Sequence, residues 1–287
     1  MGAGLIGLGG LGPIQQVTRL GGQARHTAGG QAHNPCFAPD GETIAFQSNH
    51  EGTVGIFAVS RDGSDLRRLT PPGLPARHPA WHPKGAGLAF EVESPQGGSA
   101  LSFLDFTHGD VCSLTPPGFR DQHPAWFPDG GRLAFHSNRS GGLHLFIAGA
   151  TTGAIEQLSR GEARYKHPAL SPDGNLVACV MCEVHAWTLA LIEVPSGRVL
   201  LKRAESRLPQ HPAFAGGKTI VYQDEVGGHT ELFRLDLEEL GDVQLTVGAW
   251  AHKPAATPDG RWLAFSARVG DAWEICLAPL DLSDPHP

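Results

Sequence analysis

HPAWFPDG, residues 123–130, is followed at once by RLAFHSN, residues 132–138. Pro-Asp-Gly is a tight-turn signal, with Pro presetting φ and Gly accepting a backbone angle that other residues avoid. The run after it alternates apolar and polar residues, as a half-buried strand does. Variants of this block stand at five other places: NPCFAPDG from Asn34, HPAWHPKG from His78, HPALSPDG from His167, HPAFAGG from His211 and KPAATPDG from Lys253. Their prolines, Pro35, Pro79, Pro124, Pro168, Pro212 and Pro254, are spaced by 44, 45, 44, 44 and 42 residues. Each unit carries the β-rich run, then a third run such as VGIFAVS or LHLFIAG, then a short fourth such as LRRLT or IEQLS. Four strands per repeat at this period predict an all-β chain folded as a six-bladed β-propeller.

The sixth unit runs out near Leu280 without a fourth strand. Ile14-Gln15-Gln16-Val17-Thr18 has the pattern of IEQLS and VQLT and precedes the first repeat. The N-terminal strand is therefore expected to pair into the last blade and close the propeller, which removes exposed edges. Residues 1–12 read as a flexible leader and 13–287 as a single propeller domain. Blade five departs from the pattern, with Ala215-Gly216-Gly217 in place of the Pro-Asp-Gly turn.

These residues resemble the TolB-type propeller repeat, P-x-W-S-P-D-G-x-x-[IL]-A-F-x-S, over nearly the whole chain. The resemblance implies the fold. Its relatives are the TolB periplasmic proteins, the propellers attached to prolyl-peptidase-like hydrolases, and the metal-dependent oligogalacturonate lyases. TolB proteins carry an N-terminal α/β domain with no counterpart in this sequence, which argues against a Tol-system role. No G-x-S-x-G nucleophile elbow occurs, which argues against a serine hydrolase. In the lyases, propeller histidines hold a divalent metal, so the resemblance implies that a histidine-lined metal site is compatible with the fold.

The residue before each repeat proline stands at one height in every blade of a propeller. Along the chain it is Asn34, His78, His123, His167, His211 and Lys253. Three or four imidazoles converging at the mouth of a central channel make a metal site. His78, His123, His167 and His211 are the expected ligands of a divalent ion (Mn, Zn, Fe or Ni), with His33 and His252 as reserves. The competing reading is a duplicated histidine that only hydrogen-bonds its neighbours. The loops entering these strands are basic, with Arg25, Arg77, Arg120, Arg164, Lys166, Arg207 and Lys253 against Asp121, Glu162 and Glu205. A positive mouth attracts anions. His33, Asn34, Arg77, Gln122, Lys166, His252 and Lys253 are therefore expected to line a ligand site. His50, Glu91, Glu93, Glu183, His185, Asp224, Glu225 and His229, on loops between strands two and three, are candidates for supporting a metal ligand or moving a proton. His82, His108, His136, His144 and His286 have no partner that the repeat predicts.

Composition narrows the function. The 287 residues carry 22 basic and 29 acidic side chains, a net charge of −7, which disfavours general nucleic-acid binding. No apolar run reaches the length of a membrane-spanning helix. Five cysteines are too few and too oddly numbered for a disulfide framework, and Cys179 and Cys182 read as separate thiols on one strand rather than a redox pair. The expected function is binding of a divalent metal and an anionic small molecule or oligosaccharide, with metal-dependent lyase chemistry as the leading activity. The alternative is a non-catalytic TolB-like scaffold gripping a peptide or protein partner on its top face. The chain is expected to be a monomer, cytoplasmic as it stands and periplasmic if a signal peptide has been trimmed.

Overall fold

The computed structural model describes residues 6–7, 11–20, 30–94, 97–203 and 208–282. Among them every regular element is a strand, and six four-stranded antiparallel sheets form, one per repeat. The chain is an all-β, six-bladed β-propeller. Blade three is representative: Gln122–Trp126, Arg132–Ser137, His144–Gly149 and Ile155–Gln157 pair in sequence order.

The turn after each first strand is built the same way six times. Gly41, Gly85, Gly130, Gly174, Gly216 and Gly260 all have φ between 70° and 74°, a left-handed angle that costs glycine nothing. Asp40, Asp129, Asp173 and Asp259 accept hydrogen bonds from the backbone N–H groups of Glu42, Gly131, Asn175 and Arg261 across those turns. Blades two and five lack the aspartate, yet Gly85 and Gly216 hold the same angle.

Two compact units make up the chain. The unit Pro75–Pro212 holds blades two, three and four and the first residues of blade five. Its core includes Leu101, Leu133, Phe135 and Phe146 in one cluster and Leu145, Val177, Cys179 and Ile192 in another. The second unit, Met1–Leu74 with Ala213–Pro287, holds blades six and one and the rest of blade five. Its core includes Val221, Leu232, Phe265 and Cys276, with Ile44, Phe46, Phe57 and Ile275 in a second cluster. The aromatic position of strand two (Phe46, Phe90, Phe135, Phe265) is fully buried, and Cys179 takes it in blade four. Burial pushes the Cys179 thiol far above its ordinary range, consistent with an inert packing thiol.

Blade six is completed from the far end of the chain. Gln15 pairs with Leu277 and Gln16 with Cys276, so the N-terminal strand is the fourth strand of the sheet Trp262–Val269, Ala272–Pro279 and His252–Ala256. A hydroxyl confirms the equivalence. In blades one, two, three and five a Thr or Ser past the fourth strand accepts the N–H of a strand-three residue: Thr70 from Ile56, Thr115 from Leu101, Ser159 from Leu145 and Thr246 from Leu232. In blade six Thr18 accepts it from Ile275 at 2.8 Å. Within the stretch expected to be a leader, Ile6–Gly7 pairs with Val247 and Thr246, and Leu11 bridges Leu280.

Candidate functional site

Each first strand carries a proline in its middle, and proline cannot donate to the ladder. The chain meets this with a bulge. Register shifts fall between Gln122 and Ala125 in blade three, between Arg77 and Ala80 in blade two, and at the matching place in blades one, four and six. The residue before each proline is left-handed: Asn34, His78, His123, His167, His211 and Lys253 have φ between 48° and 56°. A following proline normally drives its predecessor toward extended backbone, so the surrounding sheet holds these angles. Asn and His are among the residues that tolerate the region best. A bulge re-aims the side chain it carries.

In the unit Pro75–Pro212 this brings the histidines together. Ring centroids of His167 and His211 are 3.9 Å apart, of His123 and His167 4.5 Å, of His123 and His211 5.3 Å, and of His78 and His123 3.8 Å. Ligand atoms of His123, His167 and His211 lie within 4.8 Å of one another. A second group with the same spacing is His78, Glu91 and His123. The four histidines expected to form one set thus divide, and His123 belongs to both groups.

Strand two supplies the lining. Its residue after the buried aromatic is Gln47, Glu91, His136, Val180, Gln223 or Ser266, blade by blade. Glu91 is 2% exposed. One of its oxygens bonds His78 Nδ1 at 2.8 Å and the other accepts from Gln122 Nε2 at 2.9 Å. Burial alone raises the Glu91 pKa, but the hydrogen bonds from His78 and Gln122 and the nearby imidazoles outweigh it, so the carboxyl sits below its usual range. His136 packs 5.1 Å from His123, centroid to centroid, and its Nδ1 accepts from the backbone N–H of His167 at 3.4 Å. The repeat had given His136 no partner; the structure corrects this and places it inside the cluster. Five polar residues at one position of an otherwise apolar strand were the sequence signal that could have found it.

Two members of the cluster, His123 and His136, are held neutral. Burial, reinforced by the neighbouring His78, His167, His136 and His211, holds His123 well below the ordinary imidazole value. Burial also takes His136 down to about 3, with Glu91 opposing and His78 and Lys166 adding. Both ring nitrogens of His123 are shut off from solvent and neither has a hydrogen-bond partner among the described residues. A buried donor or acceptor left unmatched costs about 1–3 kcal/mol. Neutral imidazoles with unused nitrogens are the form that binds a metal.

Residues 75–238, more than half of the chain, match the family model described as the TolB beta propeller domain. The chain belongs to that family. The curated relative "Uncharacterized peptidase YuxL" of Bacillus subtilis is 29% identical over 160 residues, which are 55% of this chain and 23% of that protein. The chain therefore spans about a quarter of the length of that relative. Among solved structures, TolB from Acinetobacter baumannii superposes with a TM-score of 0.66 at 16% identity, covering 91% of this chain and 65% of TolB. An oligogalacturonate lyase in complex with manganese superposes with a TM-score of 0.62 at 12% identity, covering 95% and 98%. At these identities the likeness to both structures is one of fold.

Around the cluster of this TolB-family propeller, the other expected ligand residues have definite places. Arg77 pairs with Glu93 at 3.1 Å, which offsets its charge. Lys166 Nζ lies 4.1 Å from the centroid of the Trp187 ring, with Arg164 5.5 Å from the same ring. Burial holds the Lys166 ammonium below its ordinary pKa. In the other unit, Asn34 Nδ2 donates to Gln47 Oε1 at 2.5 Å, and the Lys253 backbone N–H donates to Gln223 Oε1 at 2.9 Å. His33 and His252 stack on each other at 5.3 Å, and His252 meets Trp273 edge-on at 4.2 Å. Burial, with Lys253 nearby, takes His33 down to about 4; burial, Lys253 and His33 take His252 down to about 2. Arg25, Arg207, Glu205 and His286 lie outside the described residues.

Proposed function

We propose that this protein binds a divalent metal ion through His123, His167 and His211 and uses it to hold an anionic small molecule or acidic sugar. The observation that carries the reading is the convergence of three imidazoles, with His123 held neutral and both of its nitrogens without another partner among the described residues. Their donor set, three imidazole nitrogens, suits Mn, Zn, Fe or Ni and leaves coordination positions for a ligand. A divalent ion there supplies Lewis acidity toward a carboxylate or carbonyl oxygen. The chain's own residues supply the rest. Lys166, half-buried against Trp187, presents a desolvated ammonium that an anion beside it would stabilise. Glu91 fixes the orientation of His78 through Nδ1. Gln122 fixes Glu91.

Lyase chemistry is the activity we favour, on the strength of the fold likeness to a manganese-bound oligogalacturonate lyase. A protein-binding scaffold is the second reading, favoured by the likeness to TolB and by Trp250, 42% exposed at φ 49° on the unit that lacks the histidine cluster.

The test is metal content of untagged protein before and after chelation, with the variant His123→Asn/His167→Asn. Asn34 shows that the bulge accepts asparagine, so the variant should keep the wild-type circular dichroism and lose metal affinity by at least 100-fold. Equal metal content in both proteins removes the metal reading and leaves the scaffold.

A further inference from the structure

The cluster carries more ligand capacity than one ion uses. His123 contributes to two groups, one with His167 and His211 and one with His78 and Glu91. The two nitrogens of an imidazole diverge, so a single ion takes one of them. An ion held by His123, His167 and His211 would leave one His123 nitrogen buried and unmatched, and the His78 ring lies 3.8 Å from the His123 ring, centroid to centroid. The second group adds what the first lacks. Glu91 is a buried carboxylate, engaged by His78 and Gln122 from its two oxygens, and it brings a negative charge and a hard oxygen ligand to a set that is otherwise imidazole.

We propose that the unit Pro75–Pro212 holds two divalent ions, the second bound by His78, Glu91 and His123, with the His123 imidazole bridging the pair. This rests on the metal reading above. The proton balance is closed. The second ion displaces the remaining ring proton of His123 to solvent, leaving an imidazolate bonded to both ions. Glu91 exchanges its hydrogen bond from His78 for a bond to the ion, and His78 keeps its proton on the ring nitrogen that does not bind. Of the four positive charges of the two ions, one imidazolate and one carboxylate inside the site offset two, and a dianionic ligand, or two monoanions, completes the neutralisation. The arrangement also assigns Gln122 a task, since its amide keeps one Glu91 oxygen oriented while the other turns to the ion.

The experiment is zinc stoichiometry by elemental analysis of untagged, full-length protein loaded with excess zinc and desalted, together with the electron paramagnetic resonance spectrum after copper(II) loading. Wild type should hold two ions per chain, and its copper spectrum should show exchange coupling through the imidazolate. Glu91→Gln should hold one ion and give an uncoupled spectrum. His211→Asn should also hold one, and His123→Asn none. His78→Asn, with the asparagine the bulge accepts, stands in for Glu91→Gln if that variant does not fold. One ion in wild type, unchanged by Glu91→Gln or His78→Asn, overturns the second site and leaves the metal reading standing. No ion in wild type overturns both.

Discussion

The residue before the repeat proline has the same backbone in both units and different chemistry. Blades two to five place His78, His123, His167 and His211 there; blades one and six place Asn34 and Lys253, with φ values of 53° and 56° inside the histidine range. The left-handed bulge therefore does not require histidine. Asn34 meets its surroundings with an ordinary amide pair to Gln47. His123 leaves both nitrogens unmatched. His78, by contrast, bonds Glu91 much as Asn34 bonds Gln47, so the unmatched nitrogens of His123 are what set the unit Pro75–Pro212 apart and what the metal proposal rests on.

The largest effect expected from disturbing this contrast concerns how blades are completed. Blades two to four each take four consecutive strands, whereas blade six borrows Gln15–Gln16. Removing residues 1–19 deletes Leu11 and Val17, both buried, along with the Thr18 hydroxyl that receives the Ile275 N–H and donates to Glu274 at 2.5 Å. With about 1.5–3 kcal/mol for each buried apolar side chain and an opened sheet edge besides, the loss should reach about 5 kcal/mol. Chemical unfolding followed by hydrogen exchange should show the unit Met1–Leu74 with Ala213–Pro287 losing protection first. A truncated protein that unfolds at the wild-type midpoint would show that the strand contributes no stability.

Most of this architecture was legible because repetition multiplies a weak signal six times. One Pro-Asp-Gly is a turn; four of them in a block that recurs six times at a spacing near 44 residues are a propeller. The left-handed bulge was not legible, because Gln-His-Pro by itself argues for extended backbone before the proline. Nor was the partition of the four histidines. That depends on Glu91 and His136, which come from strand two and reach the cluster only through the pairings Arg77 with Glu91 and Gln122 with His136. His33 and His252, read as reserve ligands, instead face each other and Trp273, a contact between blades far apart in sequence that no single repeat contains.

That His33–His252 pair gives the second effect, in pH. Both imidazoles have folded values below the ordinary 6.5, about 4 and about 2. Between those values and 6.5 the unfolded chain binds more protons than the folded one, so stability is complete above 6.5 and declines as pH falls through it. Lys253 faces both groups and acts in the same direction. From pH 7 to 5 the loss should be on the order of 2 kcal/mol per group. His123 and His136 in the other unit add loss of the same sign. Urea midpoints at the two pH values, compared between wild type and His33→Phe/His252→Phe, isolate the pair's share: the variant should lose less stability on acidification. An identical drop would mean that neither imidazole is shielded from protons in the folded protein.

The smallest effect lies in two hairpins that make one turn with different residues. In blade five Gly227 and Gly228, at φ 60° and 86°, link Val226 to its partner His229. In blade four Val184 and His185, at φ 46° and 70°, link Glu183 to its partner Ala186. A two-residue turn with both angles positive favours Asn-Gly or Gly-Gly, and a β-branched valine there is strained. Val184 is 95% exposed, so no packing repays the strain. Val184→Asn/His185→Gly should raise unfolding stability by about 1–2 kcal/mol, since each left-handed residue relieved is worth about that much. Metal content should not change, because neither residue belongs to the ligand groups. A variant no more stable than wild type would mean that Val184 relaxes out of the left-handed region in solution, and the hairpin beside Trp187 would then be the looser of the two.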